Sequence, residues 1–152
     1  MDAAGTPSMT DSWNLGRFVA AQGPVYADAL EELRDGCKVS HWMWFVFPQI
    51  DGLGRSETAR QFAISGLDEA RAYLDHPQLG PRLLECCVSL LSINDRSAED
   101  IFGDIDALKL RSSMTLFSRA SDLPVFRSVL EKYFAGEPDD ATLAILKQHS
   151  DT

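Results

Sequence analysis

The sequence predicts an all-α fold, a single compact domain of roughly seven to nine short helices around a central aromatic helix. Three observations carry this expectation. Apolar residues recur at spacings of three and four along nearly the whole chain from Trp13 onward. No segment alternates apolar and polar residues as a half-buried strand would. The stretch Trp42-Met43-Trp44-Phe45-Val46-Phe47 is apolar on every side, and a short helix of that kind belongs inside a core. A buried strand of the same length has the same periodicity, but no neighbouring segment reads as its partner.

Taken in order, Leu15, Phe18 and Val19 form a first stripe, and Tyr26, Leu30 and Leu33 a second. Gly23-Pro24 between them predicts a kink or two short helices. Gly36 suits the closing left-handed position. Ser40 is placed to cap a short helix carrying His41 to Phe47, which Pro48 stops. Pro48 to Arg55 reads as a loop in which Gly52 and Gly54 permit positive φ. Ser56 caps the next helix, with Ala59, Phe62 and Ala63 inside and Gly66 at its end. Asp68 is a candidate cap for a helix carrying Ala70, Tyr73 and Leu74.

His76-Pro77 breaks the chain, and Pro77 or Pro81 suits a first helical turn. Leu79, Leu83, Cys86, Cys87, Leu90 and Leu91 then make a strong buried face. Ser97-Ala98-Glu99-Asp100 opens a short helix as a variant capping box, ended by Gly103. A longer helix is expected over Ile105 to Arg119, with Leu110, Met114 and Phe117 on one stripe. Pro124 starts another around Val129 and Leu130, stopped by Gly136. The last, capped near Asp139, carries Leu143 and Leu146. Residues 1–12 read as a disordered lead-in, 13–149 as the domain and 150–152 as a tail.

At 152 residues with 45% apolar content, the chain can bury a core of its own. Its formal charge of -9 opposes general binding to nucleic acid or anionic membrane, which needs clustered Lys and Arg. No apolar run is long enough to cross a bilayer, and the first residues lack the basic start of a secretory signal. The expected location is cytoplasmic, as a monomer or homodimer. Cys37, Cys86 and Cys87 make an odd set without a CxxC or zinc-ligand spacing. They are expected to be buried reduced thiols, and no metal or cofactor motif is present.

The chemistry-bearing candidates lie in two stretches. His41 opens the aromatic helix, where the dipole disfavours a proton and leaves an imidazole able to act as a base or to hold a ligand. Trp42 and Trp44 could wall a pocket for a ring, since aromatic faces stack on such groups. An all-round apolar helix is, however, more often core. Gln49 offers a donor and an acceptor beside the loop. Gly52, Gly54, Arg55 and Ser56 make the best anion contact: exposed backbone N–H groups, a helix start and a guanidinium fork. A plain connecting loop explains the glycines as well.

In the second stretch, Leu108 to Phe117, hydroxyls interleave with apolar residues on a helix. Lys109, Arg111, Ser112 and Thr115 could hold an anion against the first motif. Alternatively the hydroxyls bond to the preceding turn, and the cations are solvated or paired with Asp104 and Asp106. Two functional classes follow: a binder of a small anionic or nucleotide-like ligand between the stretches, with or without turnover, and an interaction module without a ligand.

His-Trp-Met-Trp-Phe-Val-Phe-Pro-Gln with Gly-Leu-Gly-Arg-Ser, and Leu-Lys-Leu-Arg-Ser-Ser-Met-Thr-Leu-Phe, resemble the hallmarks of a bacterial family of unknown function. That family is the domain of unknown function numbered 1810, often labelled calpastatin-like. The resemblance runs from about Leu15 to Leu146 and implies a mainly helical fold with no established activity. Calpastatin inhibitory segments are intrinsically disordered, whereas this composition is that of a packed core. The small-polar–His–aromatic helix start is also similar to NADAR domains, N-glycosidases acting on ADP-ribose-type substrates. There Glu usually precedes the histidine; here Ser40 does, which removes the residue needed for acid–base or oxocarbenium-stabilising work.

Overall fold

The computed structural model describes residues 11–150. Except for Asp11 and Ser12, the expected disordered lead-in lies outside them, as do residues 151 and 152. Ten helices are present among the described residues: α1 Gly16–Gln22, α2 Tyr26–Arg34, α3 Met43–Val46, α4 Glu57–Gln61, α5 Leu67–Asp75, α6 Leu79–Ser92, α7 Ala98–Phe102, α8 Asp104–Ala120, α9 Pro124–Phe134 and α10 Asp140–Ser150. The fold is all-α. The number exceeds the seven to nine expected, Gly23-Pro24 separating two helices rather than kinking one, and α3 and α4 are each only about a turn long.

The longest helix, α8, packs against α5, α7, α9 and α10, and α6 lies across α2, α5 and α9. The side chains of α8 from Ser112 to Phe117 are all buried. Aromatic rings chain the layers together: Phe18 meets Tyr73 edge-on at 5.1 Å, Tyr73 meets Phe117 at 5.4 Å, and Phe117 meets Phe126 at 5.6 Å. Such contacts add to the burial of each ring. Trp42, Met43, Val46 and Phe47 sit within this core, while Trp44 and Phe45 are only half-buried.

Most boundaries follow the local signals. Gly23-Pro24 separates α1 from α2, Gly36 adopts φ +73°, and Gly103 adopts φ +82°. Ser56 caps α4 by accepting from Ala59 N at 3.1 Å, the Ser97–Asp100 capping box is complete, and Asp139 accepts from Thr142 N at 2.9 Å. Three expectations are corrected. Ser40 does not cap the aromatic turn, which starts at Met43, because its hydroxyl donates to Glu32 instead. Gly66 ends no helix and Asp68 caps none; Gly66 is itself the first boundary residue of α5. Ile64 pairs with the 49–51 segment and draws the chain after Phe62 out of helix.

That pairing closes the glycine loop. Ile64 N donates to Gln49 O and Asp51 N to Ile64 O, both at 2.8 Å, and Ile50 and Ile64 are both buried. Arg17 braces the 61–63 segment that leads into this pairing. Its five N–H groups reach the carbonyls of Trp13, Asn14, Gln61 and Ala63 and the carboxylate of Glu69, between 2.7 and 2.9 Å. A guanidinium has five donors, so this one is fully used. Cys86 and Cys87 are buried, and burial pushes the Cys86 thiol up to about 12 and Cys87 upward as well. Cys37 is exposed, contrary to expectation, because the chain turns outward after Gly36.

Gly80 lets the start of α6 approach the end of α5. A Cβ there would stand 2.0 Å from Leu74 O, a backbone atom that cannot move alone. Gly80→Ala is therefore expected to lower stability by about 3 kcal/mol, read as a fall in the urea midpoint. An unchanged midpoint would contradict this packing.

Candidate functional site

The segment from Gly36 to Trp42 leaves α2 and crosses to the aromatic turn. It is held by one residue of α2. The Glu32 carboxylate accepts from Val39 N at 2.8 Å, Ser40 N at 2.9 Å, Ser40 Oγ at 2.7 Å and Trp42 Nε1 at 2.9 Å. Partial burial works against its charge. The Ser40 hydroxyl, the two backbone N–H groups and the indole N–H outweigh that, and hold the carboxyl at about 2 against an ordinary 4.5. Trp42 is fully buried, its one polar atom satisfied.

Lys38 and Lys109 converge on Asp106. Lys38 Nζ lies 2.9 Å from Asp106 Oδ2, and Lys109 Nζ lies 3.2 Å from Asp106 Oδ1. Each ammonium also covers an indole: Lys38 at 5.2 Å from the Trp42 ring and Lys109 at 3.8 Å from the Trp44 ring. Both are within cation–π range. Burial raises the Asp106 carboxyl, but hydrogen bonds from the two ammonium groups reverse this and leave it below its ordinary value. Lys38 N further donates to Ile101 O at 2.7 Å, so α7 and α8 are both tied to this segment.

The two sequence motifs therefore do meet, through Lys109 and Trp44. Around Trp44 lie Gln49, Gly52, Gly54, Ala59 and Phe62, enclosing a cavity of only about 10 Å³. That is room for about one water molecule. Gly52 has φ +111° and packs beneath Ile145 of α10. Gly54 is required for a different reason from the one expected. Its φ is not positive, but a Cβ would stand 2.5 Å from Ala59 Cβ, beside the Trp44 ring.

The other candidates do not join this cluster. His41 and Arg55 are exposed, and Arg55 makes no ion pair among the described residues. The Ser56 hydroxyl is occupied as the α4 cap. Arg111 turns to Glu137, with Nε 3.0 Å from its carbonyl and a nitrogen 3.6 Å from its carboxylate. Ser112 Oγ donates to Leu108 O at 3.1 Å. Thr115 Oγ1 donates to Arg111 O and accepts from Asp139 N, both at 2.8 Å. These hydroxyls serve α8 and the entry to α10. Ser113, by contrast, buries a hydroxyl without a partner among the described residues.

Sequence reasoning missed Glu32 and Lys38. Neither has a local signal: Glu32 holds an irregular segment seven to ten residues ahead, and Lys38 meets its partner far along the chain. Asp106 was readable as a partner of Lys109 three residues later. Among the described residues no group of three or more His, Cys, Asp or Glu side chains is placed to hold a metal ion. No helix is long and apolar enough to cross a membrane.

Glu32→Gln would replace an acceptor oxygen with a donor facing N–H and O–H groups. The variant is expected to be less stable at pH 7 by about 2 kcal/mol. Because the folded carboxyl titrates below the unfolded one, its contribution is complete above pH 4.5 and is lost as pH falls toward 2. The gap between wild type and variant should narrow over that interval in urea titrations. A gap independent of pH would show that the charge of Glu32 is not what matters.

Comparison with known proteins places this geometry in context. The crystallographic structure of the conserved hypothetical protein Rv1873 from Mycobacterium tuberculosis superposes with a TM-score of 0.89 at 54% sequence identity, covering 90% of this chain and 99% of that one. No curated protein matches the chain. The family described as "Protein of unknown function (DUF1810)" matches residues 12–146, nearly the whole of the described structure, and the chain belongs to that family.

Proposed function

We propose that this protein binds a small anionic, nucleotide-like ligand where Trp44, Lys109 and the Gln49–Ser56 loop meet. The observation that carries the reading is the Lys109 ammonium 3.8 Å over the half-buried Trp44 ring, beside the glycine loop. A cation, an aromatic face and backbone N–H groups next to a helix start are what a phosphate-bearing ring compound needs. Arg55 stands exposed and unpaired among the described residues at the loop's end. The cavity of about 10 Å³ admits no such ligand as it stands. The ligand lies across the rim, or the Gly52–Arg55 segment opens to take it.

A thermal-shift screen of nucleotides, sugar phosphates and NAD fragments tests this. A ligand present at about a hundredfold excess over its Kd stabilises by roughly 2.7 kcal/mol, or about 5–10 °C for a domain of this size. Lys109→Gln with Arg55→Gln should abolish the shift. If no compound raises the melting point, or if the double variant responds like wild type, the reading fails.

Glu32 favours a second reading, N-glycosidase activity on ADP-ribose-type substrates. The carboxylate absent before His41 in the sequence arrives from α2, hydrogen-bonded to Ser40 and Trp42. Held ionised, it offers negative charge to an oxocarbenium-like centre rather than a proton. Ribose release from ADP-ribosylated nucleotides should be measurable with wild type and lost in Glu32→Gln. The absence of release from a range of such substrates removes this reading.

A further inference from the structure

Away from this site, a groove runs between the N-terminal half of α5, the end of α8 and the C-terminal half of α10. Two open cavities of about 370 and 410 Å³ adjoin here and share Leu67, Leu146 and Ser150. The floor is apolar: Leu67, Leu143 and Leu146, with the exposed Trp13 ring at one end. The rim carries Arg119 and Lys147, both exposed and without an ion pair among the described residues.

The acids nearby are already held. Asp68 pairs with Arg71 at 3.3 Å and Glu69 with Arg17 at 2.9 Å. The uncompensated charge of the groove is therefore positive, in a chain whose formal charge is -9. An apolar floor with a cationic rim complements an acidic amphipathic partner. Shape agrees. The α10 wall from Leu143 to Ser150 spans two turns, about 10 Å, the length over which a helix presents apolar residues at i, i+3 or i+4, and i+7. The groove is open along that length, unlike a small-molecule site that encloses its ligand.

We infer that this groove is the docking site for an acidic amphipathic helix of a partner protein. The inference is independent of any ligand at Trp44.

A displayed random library of helical peptides, selected against the full chain, tests it. Selected sequences should pair Leu, Phe or Met at helical spacing with flanking Asp or Glu. Their binding should weaken as salt is raised and fall about tenfold or more with Arg119→Glu combined with Lys147→Glu. Both residues are exposed, so the double variant should keep the wild-type melting point, and the emission of Trp13 should shift on binding only in proteins that bind. Failure to enrich any peptide, enrichment without acidic residues, or equal binding by the double variant overturns the inference. A doubled mass in light scattering that the selected peptides do not disrupt would assign the groove to a second copy of this chain, and would overturn it too.

Discussion

Four donors converge on the carboxylate of Glu32, and the position of the aromatic motif depends on that convergence. Val39 N, Ser40 N and Oγ, and Trp42 Nε1 come from one irregular segment. Their meeting fixes the path of residues 39–42 against α2. A backbone that lacks helical or sheet partners must find its hydrogen bonds elsewhere, and here one side chain satisfies two of its N–H groups. Trp42 can then be entirely buried despite its polar nitrogen, and Phe47 and Phe102 pack around it at 6.3 and 6.4 Å.

The second tier of this arrangement is charge. Two ammonium groups and two carboxylates lie within one partly buried cluster, Lys38 and Lys109 against Asp106 with Glu32 beside Trp42. Burying a charge without compensation is costly, and each member here has a partner or a set of donors. Lys38 also bridges elements that the chain separates by about seventy residues, the α2–α3 connection and α8, while Lys109 reaches from α8 to Trp44 of α3. The cluster is consequently a fastener between these elements. The same balance explains why Arg111 is not part of it. Arg111 fastens α8 to the Glu137 turn, so the cations of the second motif serve different neighbours although they are two residues apart.

Much of the fold is legible locally. Periodicity of three and four places Leu79, Leu83, Cys86, Cys87 and Leu90 on one buried face of α6, and all five are buried. Capping follows the same logic at Ser56, Ser97 and Asp139, because a cap is a bond to a residue two or three positions away. The failures share a cause. Ser40 has the chemistry of a cap but is claimed by Glu32 of α2. Residues 63–65 look like the end of a helix, but Ile64 is instead paired with Gln49 and Asp51. Gly54 looks like a conformational glycine but is needed for room against Ala59.

By itself the sequence determined what short-range physics controls: an all-α fold, most helix boundaries, the burial of the aromatic motif, and the membership of two long motifs in one family. Tertiary structure alone decided what those motifs do to each other. Glu32 and Lys38 reach their partners outside any one helix, so no helical spacing encodes them. It alone turned Lys109 onto Trp44 and Arg111 away, two residues apart on a helix whose successive side chains point about 100° from one another.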